Sequence, residues 1–172
     1  IHRGTKPGSA TVIGSDNFFM ATSHVGHNCS VGNHVIITNG AMLGGYVEVE
    51  DQAIVSGNCA VHQFVRVGRL AILRALSKAS RDVPPFCVMD GTHTVRAINR
   101  VGLRRAGFEA AQIRALQNAF VLLFGRARNL RIALSELESE PVSAEVRYLI
   151  DFIRASKRGV CFGPREPGVA SQ

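Results

Sequence analysis

Two short segments hold the residue types that could take part in proton transfer: residues 23–28, SHVGHN, and residues 61–64, VHQF. Gly45 lies eighteen residues after His27 and eighteen residues before Gln63. A neutral imidazole can accept a proton near neutral pH, so histidine is the side chain best suited to act as a general base. If the fold brings these three positions side by side, His27 is a candidate base next to the gap that a glycine leaves.

The element that positions them is a repeat of six residues. An aliphatic or aromatic residue recurs at every sixth position from Ile13 to Leu73, and Ala79 follows at the same spacing. The residue four places after each of these is small or short. This period fits neither a helix nor an ordinary strand, and it is typical of a solenoid built from short strands and tight turns. The sequence therefore predicts a mainly β, parallel solenoid with one large side chain per side facing a narrow core.

The six-residue period also predicts which residues stack. If three such sides make one triangular coil, residues eighteen apart lie directly above one another, so His27, Gly45 and Gln63 form one column. Coils stack at roughly 4.8 Å, which puts His27 and Gln63 about 10 Å apart with no side chain between them. The corners are predicted two positions after each inward residue, where types that tolerate left-handed backbone recur. These are Asn33, Asn39, Gly45, Asp51 and Gly57.

A second unit follows the solenoid. The six-residue pattern ends at residues 82–85, DVPP, because two prolines cannot donate to a strand ladder. We therefore predict a β-helix at residues 1–86, and a linker with an α-helical domain at residues 87–172 that ends in a frayed tail from residue 163. Helical spacing predicts helices around residues 113–124, 130–137 and 146–153, the last capped by Ser143.

Charge and composition exclude several function classes. Residues 96–158 hold twelve Arg or Lys against six Asp or Glu, so nearly all of the chain's net charge of +7 lies in the predicted helical unit. The four cysteines lack any Cys-x-x-Cys spacing, which argues against a disulfide or a zinc knuckle. No apolar run approaches the roughly 20 residues that cross a bilayer, and no signal peptide opens the chain, which predicts a cytoplasmic protein without membrane insertion. Because Ile1 is not a methionine, we expect a fragment whose first coils are missing.

Several motifs together resemble one family. The stretches IHRGT, GSDNFFMATSHVGHNCSVGNHVIITNGAMLGGYVEVEDQAIVSGNCAVHQF, DVPPF and GLRRAGF are similar to the acyl-(acyl-carrier-protein)-UDP-N-acetylglucosamine O-acyltransferases, which start lipid A synthesis. The resemblance implies a left-handed parallel β-helix, a homotrimer with active sites between subunits, and a C-terminal helical domain. The implied reaction moves a 3-hydroxyacyl group from acyl carrier protein to the 3-hydroxyl of UDP-N-acetylglucosamine, without a metal or a cofactor.

The resemblance also implies roles for individual residues. His27 matches the general base, and the backbone N–H near Gly45 matches the donor to the oxyanion. Ala75 matches the position that stops the far end of the acyl chain, which predicts a donor shorter than the fourteen-carbon chain that glycine permits. The substrate-binding residues that match are His2, His24, His62, Gln63, Arg104 and Arg105, the two arginines facing the nucleotide phosphates.

Four features depart from the family pattern. Asn28 stands where the family has an aspartate after the catalytic histidine, and Tyr46 replaces a histidine. Arg74–Lys78 replaces a glycine-rich stretch, and the family's aspartate and lysine that hold the glucosamine would lie before Ile1. An amide can accept the imidazole N–H but cannot stabilise an imidazolium, and a reversed amide would favour the wrong tautomer.

Other interpretations stay open from the sequence. His27 alone could be a solvated turn residue, and the histidines could bind zinc, although their spacing does not match known zinc sites on this solenoid. His34 is predicted to lie on the surface, and His93 has no assigned role. The basic tail, with Arg126 and Arg128 as exposed examples, suits the acidic carrier protein better than nucleic acid. A transferase that uses coenzyme A or an amino-sugar acceptor, and a non-catalytic scaffold, are the alternative functions.

Overall fold

The computed structural model describes residues 1–125 and 129–164. Its first part consists of two-residue strands at six-residue intervals. Arg126, Arg128 and residues 165–172 of the predicted tail lie outside the described residues. The strands are β1 Val12–Ile13, β2 Phe18–Phe19, β3 His24–Val25, β4 Ser30–Val31, β5 Ile36–Ile37, β6 Met42–Leu43, β7 Glu48–Val49, β8 Ile54–Val55, β9 Ala60–Val61, β10 Arg66–Val67, β11 Ile72–Leu73 and β12 Lys78–Ala79.

These strands stack into three parallel sheets, one for each side of the coil. One sheet has the order β1-β4-β7-β10, a second β3-β6-β9-β12, and the third runs β2-β5-β8-β11 and continues beyond it. The register pairs Val25 with Leu43 and Leu43 with Val61. Each coil therefore advances by eighteen residues, which confirms the predicted triangular solenoid.

The core has the composition that the period predicts. The second residue of each strand faces inward, and it is buried from Val25 through Ala79, while Ile13 in β1 and Phe19 in β2 are half-buried. The short residues four places later are also buried, including Cys29 and Cys59. Burial of a Val, Leu or Ile side chain stabilises a fold by about 1.5–3 kcal/mol, so the stacked coils form a continuous core of their own.

The predicted phase of the left-handed corners is wrong by one residue. Positive φ angles occur three positions after the inward residue, at Asn28 (61°), Tyr46 (57°) and Phe64 (64°), and Gly45 is not among them. In this conformation the backbone N–H of Tyr46 donates to the carbonyl of His27 at 2.8 Å, and that of Phe64 to Gly45 at 3.1 Å. These bonds between coils offset the cost of a left-handed backbone at large side chains.

The third sheet continues past the two prolines, although the six-residue period ends there as predicted. Strand β13, Cys87–Met89, pairs in parallel with β11, and β14, Val95–Ile98, pairs antiparallel with β13. The residues that flank the prolines supply the donors, since Val83 N–H bonds to Arg66 at 2.8 Å and Phe86 N–H bonds to Arg69 at 2.8 Å. The prolines therefore lie in a buried turn whose hydrogen bonds to the previous coil are donated by the residues on either side of them.

Four helices follow among the described residues, and all three predicted ones are present. They are α1 Arg100–Arg105, α2 Ala110–Phe124, α3 Leu130–Glu138 and α4 Ala144–Arg154. Ser143 caps α4 as predicted, because its side chain accepts from Val146 N–H. Asn99 caps α1 and also donates to the carbonyl of Leu70 at 2.9 Å, which attaches the helices to the solenoid. No helix in the described part of the chain is both long and apolar enough to span a membrane.

Candidate active site

The imidazole of His27 lies directly over Gly45. The register of β3 and β6 brings these residues to the same corner of successive coils. A Cβ atom on Gly45 would lie 2.6 Å from both Cε1 and Nε2 of His27, closer than any real contact. The predicted column is therefore present, but the predicted empty gap is not, because the His27 ring itself fills the space that glycine leaves.

His27 is half-buried and has a polar partner and an aromatic partner. Its Nδ1 lies 3.0 Å from Oδ1 of Asn28. The ring of Tyr46 meets it edge-on, with centroids 5.3 Å apart and planes at 89°, and Tyr46 stacks on Phe64 at 4.9 Å. These contacts restrain the imidazole with Nδ1 toward an oxygen and Nε2 over the backbone of Gly45. That orientation suits a base that works through Nε2.

The N-terminal segment brings His2 to the same corner region. The backbone N–H of His2 donates to the carbonyl of Val25 at 2.9 Å. The His2 and His24 rings lie 4.9 Å apart between centroids. Two residues predicted to bind substrate are therefore neighbours, although 22 positions separate them in the sequence.

A cleft of about 570 Å³ runs along the outer face of the sheet β3-β6-β9-β12. His24 and His62 both line it, together with Gly44. Most of the remaining wall is apolar and comes from Met42, Leu43, Ala60, Val61 and Ala79. An apolar floor with imidazoles along it can accept a hydrocarbon chain whose head group carries polar atoms.

His93 also lines this cleft, and sequence reasoning assigned it no role. Its Nε2 lies 3.0 Å from the backbone nitrogen of Ser80 and 2.6 Å from the Ser80 hydroxyl. Burial lowers the pKa of His93, and the nearby Arg81 lowers it further. Since the Ser80 N–H must donate, Nε2 is an acceptor and the ring is neutral. His93 follows the end of the six-residue pattern, so no period in the sequence pointed to it.

Several predicted residues lie apart from this cleft. Arg104 and Arg105 are exposed on α1, and neither lines the cleft. Arg104 instead borders a second cavity of about 340 Å³, together with Arg100 and Arg114. Within a single chain, the arginines predicted to bind phosphate are therefore not assembled with the histidines.

Gln63 and Ala75 are both exposed corner residues. A Cβ atom on Gly44 would lie 2.7 Å from the backbone nitrogen of Gln63, so Gln63 continues the corner stack of the His27 region. Ala75 follows β11 and lies at a different corner of the coil. The next residue, Leu76, donates its N–H to the carbonyl of Gly57 at 2.9 Å, which stacks this corner on the coil before it.

The described residues offer no obvious metal centre, since no three His, Cys, Asp or Glu side chains group together within residues 1–125 and 129–164. All four cysteines are buried free thiols. Cys29 donates to the carbonyl of Gly44 at 3.1 Å, and burial raises its pKa above the usual thiol value. His34, predicted to lie on the surface, is exposed beside Asp16 at 4.0 Å.

Two family models match separate parts of the chain. Residues 82–161 match the model described as UDP-N-acetylglucosamine O-acyltransferase, domain 2. Residues 10–45 match the model of bacterial transferase hexapeptide repeats. The two matches correspond to the β13-to-α4 part and to the first coils of the solenoid.

Individual relatives and solved structures agree with these models. The chain is 41% identical over 157 residues to an acyl-(acyl-carrier-protein)-UDP-N-acetylglucosamine O-acyltransferase of Gloeothece citriformis, covering 91% of this chain and 57% of the relative. It is 41% identical over 167 residues to one of Burkholderia mallei, covering 93% of this chain and 64% of the relative. The UDP-N-acetylglucosamine acyltransferase structure from Arabidopsis superposes with a TM-score of 0.87 at 34% identity, covering 93% of this chain and 60% of that one.

The chain thus spans less than two thirds of the length of each of these three relatives. Over that span, the sequence and the fold of the solenoid and of the helices that follow it agree with those of the same proteins. By sequence and by fold, the chain belongs to the acyl-(acyl-carrier-protein)-UDP-N-acetylglucosamine O-acyltransferase family.

Proposed function

We propose that the protein transfers a 3-hydroxyacyl group from acyl carrier protein to the 3-hydroxyl of UDP-N-acetylglucosamine, the first step of lipid A synthesis. The observation that carries this proposal is the pair of His27 and Gly45 beside the cleft lined by His24 and His62. Relatives 41% identical to the chain bear the name of this reaction. Both proposed substrates are water-soluble, and we infer that the reaction takes place in the cytoplasm.

In this reaction His27 acts as the general base. Its Nε2 takes the proton from the sugar 3-hydroxyl while the oxygen attacks the thioester carbonyl. When the tetrahedral intermediate collapses, the C–S bond breaks, and the imidazolium returns the proton to the leaving thiolate. The contact between Nδ1 of His27 and Oδ1 of Asn28 supports this role, because it leaves Nε2 as the nitrogen that exchanges the proton.

The carbonyl oxygen becomes negative during attack and needs a donor. We assign this role to the backbone N–H near Gly45, since His27 lies over this residue and a backbone donor is fixed in place before the reaction. His24, His62 and Gln63 contact the acyl and sugar groups, and His2 flanks the cleft beside His24. The apolar wall of the cleft supports a hydrocarbon chain as one ligand.

We propose that the working form is a homotrimer with its sites between subunits. The outer face of the sheet β2-β5-β8-β11 carries a ladder of apolar side chains in register, and Phe18 at its end is 57% exposed. A neighbouring subunit would cover this ladder of Phe18, Ile36, Ile54 and Ile72. It would also supply Arg104 and Arg105, which lie away from the cleft of their own chain, to the nucleotide phosphates.

In this proposal the two parts of the chain have different roles, catalysis and binding of the carrier protein. Residues 1–86 carry the base and the oxyanion donor, and residues 87–172 carry the basic surface for the acidic acyl carrier protein. Arg100, Arg104 and Arg114 around one cavity support an anionic partner on the helical side. Ala75 marks the end of the acyl groove.

The test is an assay of the full-length protein with 3-hydroxyacyl carrier protein and UDP-N-acetylglucosamine, followed by mass spectrometry of the sugar nucleotide. We expect a product that carries one ester at the 3-hydroxyl. Transfer from acyl coenzyme A alone, or only to an amino analogue of the sugar, would assign a related hexapeptide transferase instead. Binding of the sugar nucleotide without turnover would favour the non-catalytic alternative, which Asn28 and Tyr46 motivate.

A further inference from the structure

The side-chain oxygen of Asn28, beside His27, lies within hydrogen-bond distance of three polar atoms. The side-chain Oδ1 of Asn28 lies 3.1 Å from the backbone nitrogen of Thr5 and 3.0 Å from its Oγ1. The same oxygen lies 3.0 Å from Nδ1 of His27. Thr5 therefore holds the amide that contacts the proposed base, although 23 residues separate it from Asn28 in the sequence.

The chemistry of Thr5 determines which way this amide faces. A backbone N–H can only donate a hydrogen bond, so the atom opposite it must be an acceptor. Only the oxygen end of the Asn28 amide accepts, since the NH2 end would bring two donors together. The backbone N–H and the hydroxyl of Thr5 both donate to this oxygen, so together they favour the orientation in which Oδ1 also faces His27. Loss of the hydroxyl would leave one bond instead of two to hold the amide.

This orientation sets the tautomer of His27. With an acceptor 3.0 Å away, Nδ1 carries the ring proton and Nε2 keeps the lone pair that a general base requires. A reversed amide would turn its NH2 group toward Nδ1 and favour the tautomer that is protonated on Nε2. In that tautomer Nε2 has no free lone pair and cannot take the proton of a substrate. An aspartate at residue 28 would offer an oxygen in either orientation and would not need to be held.

The segment that carries Thr5 is itself attached on both sides. His2 donates its backbone N–H to the carbonyl of Val25 at 2.9 Å. On the other side, the Thr11 hydroxyl accepts the backbone N–H of Asn28 at 2.9 Å and donates to the carbonyl of His2. Residues 2–11 therefore form a strap over the His27 corner, and Thr5 lies in its middle.

We propose that Thr5 is a positioning residue, which locks the amide of Asn28 and so keeps His27 in the tautomer with a free Nε2. In this chain the strap replaces the orientation that a symmetric carboxylate would provide by itself. The catalytic part of the proposal rests on the proposed function, whereas the tautomer does not depend on any activity.

The tautomer is tested by 15N NMR of the full-length protein labelled at histidine, with His27→Ala used to assign the His27 signals. We expect wild type and Thr5→Ser, which keeps the hydroxyl, to show a protonated Nδ1 and an unprotonated Nε2. Thr5→Val has nearly the same shape and keeps the backbone N–H but loses the hydroxyl bond, so it should show an added minor population with the proton on Nε2. A wild-type ring protonated on Nε2, or a Thr5→Val spectrum identical to wild type, would overturn the proposal.

Kinetics separate positioning from a general structural role. We expect Thr5→Val to lower kcat by about two- to ten-fold with KM unchanged, as for the loss of one hydrogen bond. In the Asn28→Asp background the same substitution should change kcat less than about two-fold. Equal losses in both backgrounds would make Thr5 merely structural. If wild type transfers no acyl group but the spectra are as expected, the proposed function fails and the tautomer assignment stands.

Discussion

The imidazole of His27 occupies the space in which a side chain at residue 45 would lie. The Nε2 and Cε1 atoms are both 2.6 Å from the position of a Cβ on Gly45. Glycine at residue 45 is therefore required by the neighbouring histidine and not by a left-handed backbone, since Gly45 has no positive φ. The pair forms a unit in which residue 45 is small so that the His27 ring can occupy the position it has in the structure.

Gly45→Ala tests this unit directly. The added methyl group must displace the His27 ring, and a misplacement of about 1 Å can cost roughly a hundred-fold in rate, so we expect kcat to fall by about that factor. Gly57→Ala is the matched control, because its Cβ would meet nothing closer than the carbonyl oxygen of Asn39 at 3.6 Å. Steady-state assays and thermal denaturation of both variants measure the effect. Similar rates for the two variants would show that the ring does not need this position.

His27→Ala should abolish acyl transfer while it changes the free energy of unfolding by no more than about 1 kcal/mol, as expected for a half-buried corner residue. Its control is His34→Asn, at an exposed corner with a positive φ that asparagine tolerates. Single-turnover assays with saturating carrier protein detect low residual rates. Retention of a tenth of the wild-type rate would remove His27 from the role of base.

The sequence predicted the solenoid because each coil repeats one physical requirement, a buried side chain at every sixth position. That requirement also predicted which residues lie in one column, including His27 with Gly45. It did not predict the left-handed residues, since Tyr46, Phe64 and Leu76 adopt positive φ against their intrinsic preference. Hydrogen bonds between coils impose that conformation, and residue types alone do not reveal them.

Contacts between segments that are distant in the sequence could not be predicted either. The bond from Thr5 to Asn28 joins an irregular N-terminal segment to a corner, and Thr5 lies before the six-residue pattern begins. Helix α1 has only 6 residues, too few for an apolar stripe to repeat. Strand β13 pairs with β11 at a spacing of sixteen residues, Ile72 with Val88, so the last coil departs from the eighteen-residue period that predicted the others.

His93 should make stability depend on pH below neutrality. Burial and then Arg81 lower its pKa, and the neutral ring accepts from Ser80. A histidine with a lowered folded pKa contributes its full stability above the unfolded pKa of about 6.5 and loses it as the pH falls from there through the folded value. We expect urea denaturation from pH 7.5 to 5 to show a steeper loss for wild type than for His93→Gln. His34→Gln, changed at an exposed histidine, should keep the wild-type slope, and parallel curves for wild type and His93→Gln would contradict the assignment.

The length of the acyl donor should depend on Ala75. In the proposed function this exposed corner residue ends the acyl groove, and a methyl group in place of glycine shortens the groove. Each methylene that contacts apolar surface contributes about 0.8 kcal/mol to binding. A groove shorter by the length of two methylenes therefore corresponds to roughly a ten-fold change in the preference between acyl donors. We therefore expect a preferred 3-hydroxyacyl chain shorter than fourteen carbons.

Ala75→Gly should shift this preference toward longer chains. Ala21→Gly is the matched control, because Ala21 is an exposed residue at the same phase, two places after the inward Phe19, and three coils away from Ala75. Competition between carrier proteins that bear chains of different length, with products resolved by mass spectrometry, gives the ratio of kcat/KM values. Because only Ala75 lies in the last regular coil, only its substitution should move the optimum, by roughly ten-fold for two added carbons. A fourteen-carbon optimum in wild type that Ala75→Gly leaves unmoved would mean that the groove ends at another residue.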